Sequence, residues 1–77
     1  MKQEAYENLA NAIVLQAVKD YRKALESLKR HPGNAGAQYV IKDVERFFLS
    51  DWFVELTDLD GRTLMEQLRK EADSGEE

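Results

Sequence analysis

From Glu4 to about Arg30 the chain contains neither glycine nor proline, and apolar residues recur through it every three or four positions. Alanine and leucine are frequent there, so the stretch reads as one long helix. In a chain of 77 residues such a rod leaves little sequence to cover its own apolar side. Tyr6, Leu9, Ala10, Ile13, Ala17, Tyr21, Ala24 and Leu28 trace one face, Val14, Val18 and Leu25 widen it, and Leu15 lies off it. The stripe is broader than one short neighbour requires, which predicts a second helical partner or a second copy of the chain.

His31-Pro32-Gly33-Asn34 should end this helix, because proline disfavours helical geometry in the residue before it and Gly33-Asn34 supplies turn chemistry. Lys29, Arg30 and His31 would sit in its last turn, where positive charge complements the helix dipole. A second helix opens near Asn34 or Gly36 and runs to about Leu49, with Ala37, Val40, Ile41, Val44, Phe47 and Phe48 on its inner face. The short connection makes the pair an antiparallel hairpin.

Four of the seven aromatic residues fall between Glu45 and Leu56: Phe47, Phe48, Trp52 and Phe53. Ser50 divides that run as the cap of a short third helix from Asp51 to about Leu56, with Asp51 placing negative charge in its first turn. Phe48 and Trp52 are the expected core members. Phe47 or Phe53, if exposed, would anchor a partner. Thr57-Asp58-Leu59-Asp60-Gly61 is a turn rich in cap formers, and Asp58 or Asp60 should start a last helix through about Ala72 that buries Leu64, Met65 and Leu68. The expected architecture is all-α: a single helical domain over residues 1–72, with a long N-terminal helix, an antiparallel second, a short third and a C-terminal helix, then an acidic flexible tail over 73–77.

A chain this short sits near the size at which one apolar core offsets the entropy of folding, and it has no cysteine to brace it. No apolar run has the length of a membrane span, and Met1-Lys2-Gln3-Glu4 lacks the apolar core of a secretory signal, so a soluble protein of the host cytoplasm is expected. The net charge of −4 is uneven. One lysine and two glutamates occupy residues 1–18, seven Lys/Arg and four Asp/Glu occupy 19–50, and three Lys/Arg and nine Asp/Glu occupy 51–77. The basic middle is modest, and general affinity for nucleic acid is not the expectation.

No residue pattern points to catalysis. His31 stands beside a Pro-Gly turn without a nucleophile pattern, and no glycine-rich loop matches a phosphate-binding or dinucleotide motif. Asp58-Leu59-Asp60-Gly61 begins like a calcium loop but has Arg69 where such a loop places its last glutamate, so it reads as turn and cap. Asp43 and Glu45, two apart on a helix, do not face each other and read as solvated. Neither cofactor nor metal is expected, and the chain is not expected to be an enzyme.

A basic cluster is the more informative candidate. Lys19, Arg22 and Lys23, followed by Lys29 and Arg30, would approach Lys42 and Arg46 in an antiparallel hairpin, with Arg46 near residues 19–22. Arg46 beside Tyr21 and Arg22 would suit a phosphate, a carboxylate or a base, and Gln16, Lys19, Tyr21, Arg22, Lys42 and Arg46 form the candidate ligand set. Asp20, Glu26, Asp43 and Glu45 interleave with these cations, and ordinary surface ion pairs are the plainer reading.

The segments Gln16-Ala17-Val18-Lys19-Asp20-Tyr21-Arg22-Lys23-Ala24-Leu25, Glu45-Arg46-Phe47-Phe48-Leu49-Ser50-Asp51-Trp52-Phe53 and Leu56-Thr57-Asp58-Leu59-Asp60-Gly61 resemble a family of short proteins from phages, prophages and mobile elements of Gram-positive bacteria. The resemblance spans roughly residues 10–70 and implies a genomic setting rather than an activity. Such a setting implies an inhibitor of host defence, acting by occupying a host protein or by sequestering a signalling nucleotide, with ligand contacts sought at Gln16, Asp20, Arg22, Arg46, Ser50 and Asp51. The alternatives are a nucleic-acid-linked regulator of phage or mobile-element genes and a structural adaptor whose chemistry is oligomerisation. The partners expected are a host defence protein or a small anionic nucleotide, together with a second copy of the chain.

Overall fold

The computed structural model describes the backbone of residues 2–74 and the side chains of residues 8–73. Four helices follow in order: α1 (Lys2–Arg30), α2 (Ala35–Phe48), α3 (Asp51–Leu56) and α4 (Gly61–Ser74). The architecture is the expected all-helical one. At 1.5 Å per residue α1 is about 43 Å long, and it sets the long dimension of a molecule measuring 44 × 25 × 18 Å. Side-chain hydrogen bonds place Arg22 beside Glu71 and Tyr21 beside both Glu45 and Arg69, so α2 runs back along α1 and α4 returns in the direction of α1.

The boundaries are set by local chemistry. The N–H of His31 closes on Ser27 O at 2.8 Å, and the N–H of Asn34 reaches His31 O at 2.9 Å, which completes the turn around Pro32 and Gly33. Asn34 adopts φ −70°, ψ 100° and its side chain accepts from the N–H of Ala37, capping α2. Ser50 does the same for α3: its Oγ accepts from the N–H of Phe53 at 3.2 Å and donates to Phe47 O at 2.6 Å, which ties the start of α3 to the end of α2. Asp60 caps α4, accepting the N–H of Arg62 at 3.2 Å and the hydroxyl of Thr63 at 2.9 Å. Those contacts make the segment a turn and cap, as its sequence implies. The last helix continues through Asp73 and Ser74, two residues beyond the expected end.

The core follows a seven-residue pattern. On α1, Ala10, Val14, Ala17, Tyr21 and Ala24 are buried at alternating spacings of four and three, and on α2 Ala37, Ile41, Val44 and Phe48 repeat the same spacing. Alanines on one row let the backbones approach, while the larger residues of the other row fill the space between them. Leu68 of α4 and Phe53 of α3 close the cluster, with Leu64 and Met65 packed at its edge. Leu15 is exposed as expected, but Leu9, placed on the inner face by its spacing, is 61 % exposed. It lies on α1 ahead of the turns that α2 covers. Tyr6 falls outside the residues whose side chains are described.

The aromatic corner reverses one expectation. Phe53 is fully buried and Trp52 is 55 % exposed, so Trp52 is not a core residue and Phe53 is not a surface anchor. Ser50 fixes where α3 begins, and from that start Phe53 is directed onto Phe48, ring centroids 5.5 Å apart at 74°, and onto Phe47 at 5.5 Å and 88°. Trp52, one residue and 100° around the helix, packs against Phe47 in a T-shaped contact at 5.4 Å and 73°.

Gly61 is the tightest point of the assembly. A β-carbon there would overlap the carbonyl oxygen of Phe48 and lie 2.8 Å from its carbon and 3.3 Å from Phe53 Cδ2. Only a residue without a side chain lets α4 begin against the end of α2.

Candidate functional site

The candidate ligand residues divide between surfaces instead of converging. Tyr21 is completely buried. Its hydroxyl donates to Glu45 Oε2 at 2.7 Å and accepts from Arg69 Nε at 2.8 Å, while Arg69 Nη2 also bonds Glu45 Oε2. The hairpin register is the expected one, but Glu45 and not Arg46 meets Tyr21. Glu45 stands four residues after Ile41 and three before Phe48, at the margin of the inner face, whereas Arg46 is turned a further 100° away. Glu45 is therefore not on a solvated helix face, as its sequence position implied, but half-buried and bonded to Tyr21 and Arg69.

This three-membered network has a definite protonation state. Burial, then the hydrogen bond to Glu45, pushes the Tyr21 phenol up to about 12 against the opposing effect of Arg69. For Glu45, burial acts to raise the pKa, but the hydrogen bonds from Arg69 and Tyr21 outweigh it and hold the carboxyl below its usual range. The same bonds, Glu45 first, raise Arg69. At neutral pH a neutral phenol thus lies between a carboxylate and a guanidinium, which locks α1, α2 and α4 together.

Arg22 turns toward α4, where it pairs with Glu71 at 2.9 Å with both side chains 59 % exposed. Such a pair contributes on the order of 0–1 kcal/mol. Gln16 donates from Nε2 to Asp20 Oδ1 at 3.0 Å. Lys19, Lys42 and Arg46 are exposed, with no ion pair among the described residues. Lys42 and Arg46 stand on the outer side of α2 and Arg22 on the side of α1 that faces α4, so these cations form no single cradle.

What the fold does build is an open groove of about 390 Å³ where α1, α2 and α3 meet. Ile13 and Ala17 of α1, Val44 and Phe47 of α2, and Trp52 of α3 form its apolar surface, while Gln16, Asp20 and Asp43 stand on its rim. Both charged residues of this groove are carboxylates. One amide N–H of Gln16 is spent on Asp20, which leaves Gln16 its second N–H and its carbonyl oxygen, and Asp43 has no hydrogen-bond or ion-pair partner among the described residues. The rim is thus two carboxylates and one amide around an apolar floor, suited to a partner that brings an apolar side chain and nearby donors. Of the residues singled out from the sequence, Gln16, Asp20 and Phe47 belong to it. Asp43, Val44 and Trp52 were missed as site residues, because nothing in a single sequence says which side of a six-residue helix stays open.

A second open groove, lined by Asp20, Lys23, Ser27, Asn34, Gly36 and Val40 among others, lies at the neck of the hairpin and has no aromatic side chain. No group of His, Cys, Asp and Glu among the described residues is arranged to hold a metal ion, and no helix among them is long and apolar enough to cross a membrane. Compared with protein-family models, with curated proteins and with solved structures, the chain matches none.

Proposed function

We propose that this chain is a non-enzymatic binding protein of phage origin that inhibits a host defence protein by stoichiometric occupation of its surface. The phage setting rests on the sequence resemblance. The observation that carries the binding reading is Trp52, a tryptophan 55 % exposed at the edge of an apolar groove and supported from below by Phe47. Tryptophan is among the residue types most enriched where a few side chains supply most of the energy of protein–protein recognition. The acidic rim formed by Asp20 and Asp43 favours a protein partner over an anionic nucleotide, which like charge would repel.

The test is affinity purification from host cells followed by mass measurement of the intact complex. The wild-type chain should retain one protein in fixed stoichiometry. Trp52→Ala should lose it while keeping full helicity, since the side chain contributes little to the core. Equal retention by both would overturn the groove reading. Recovery of a nucleotide whose retention depends on Arg46 would replace it with sequestration, and salt-sensitive retention of DNA would replace it with gene regulation.

A further inference from the structure

The outer side of α2 carries its own unmatched surface. Tyr39, Lys42, Arg46 and Leu49 follow one another at spacings of three, four and three, and so form a single stripe along α2 and its C-cap. Tyr39 is 71 % and Leu49 55 % exposed, and neither Lys42 nor Arg46 has a partner among the described residues. The stripe complements the groove: its apolar side chains are flanked by donors and positive charge where the groove's are flanked by carboxylates. Groove and stripe adjoin, because Asp43 is the next residue after Lys42 and belongs to the groove rim.

We propose that the groove between α1, α2 and α3 is covered by a second copy of this chain, which lays the Tyr39–Leu49 stripe of its α2 across it. Two complementary surfaces on adjacent sides of one helix are the arrangement that a two-fold axis satisfies, each copy giving its stripe and receiving the other's. Lys42 and Arg46 of one copy then face Asp20 and Asp43 of the other, twice over, and Tyr39 packs toward Trp52 and Phe47. The pairing needs nothing but this chain, so it stands or falls apart from the host-target reading. A host target using the same groove must displace the second copy and therefore compete with self-association.

The experiment is sedimentation equilibrium on the purified chain from micromolar to millimolar concentration, with charge reversals at exposed positions that leave the core untouched. Wild type should dimerise, more weakly as salt is added. Asp20→Arg with Asp43→Arg, and Lys42→Glu with Arg46→Glu, should each weaken the dimer by at least ~10-fold, since each sets like charges opposite one another. Mixing the two variants should restore a dimer containing one of each, because the reversed charges then meet in complementary pairs. A wild-type chain that stays monomeric at millimolar concentration would overturn the proposal. So would a dimer indifferent to both reversals, or a mixture that fails to recover, since the copies would then meet elsewhere. Circular dichroism of each variant separates a lost interface from a lost fold.

Discussion

Tyr21 is the residue on which three helices depend, and its chemistry gives a pH signature. The phenol is neutral in the folded chain up to about 12, above the ordinary value of 10.0. A group whose pKa is raised by folding stabilises fully below its unfolded pKa and loses that contribution as pH climbs toward the folded one. The Tyr21 contribution is therefore intact at neutral pH and disappears between about 10 and about 12. Tyr21→Phe removes the hydroxyl but leaves Glu45 and Arg69 bonded to each other, so neither is stranded. It should cost about 1 kcal/mol at neutral pH. Urea unfolding as a function of pH should show the two proteins converging in this alkaline window, and a constant gap would refute the assignment. Glu45 acts in the opposite sense: with its folded pKa lowered, its contribution is present above the unfolded carboxylate pKa and is lost as acid protonates it.

The elements themselves were legible where their signals are local. Pro32-Gly33-Asn34, Ser50 and Asp60 each act within three or four residues, and the helices begin where those caps require. What distant packing decides could not be read. Trp52 and Phe53 are neighbours in a six-residue helix, and only the position of Phe48 sends one inward and leaves the other at the groove. Glu45 and Arg69 reach Tyr21 across 24 and 48 positions of sequence. Gly61 reads as a turn glycine, yet its role is the contact between α2 and α4. Gly61→Ala forces the start of α4 away from Phe48 and should destabilise by about 1–3 kcal/mol, as overpacking of a filled core does. Gly33→Ala meets nothing within 4 Å and serves as the control, with a thermal midpoint close to wild type. Equal midpoints for the two variants would mean that α4 does not dock on the end of α2.

At the scale of the whole molecule the chain is too open for its size. Its radius of gyration is 13.6 Å, against about 11.5 Å for a compact domain of this length. Its accessible surface is 6013 Å², against roughly 4,800 Å² for a monomeric globule of this mass. The excess, about 1,200 Å² per chain by that same scaling, is more than the roughly 800 Å² that each partner gives to a standard interface. A single α1 of 29 residues beside partners of 14, 6 and 14 cannot be fully covered from within. If a second copy completes the cover, stability depends on concentration, because folding is then coupled to association. A tenfold rise in concentration above the dissociation constant should add up to about 1.4 kcal/mol, or several degrees of midpoint in a chain this short. Scanning calorimetry over two decades of concentration should show that rise for the wild type and a flat midpoint for Asp20→Arg with Asp43→Arg. A flat wild-type midpoint would mean that α1 holds its open face to solvent unaided, and the core around Tyr21, Phe48 and Phe53 would then have to supply all of the stability on its own.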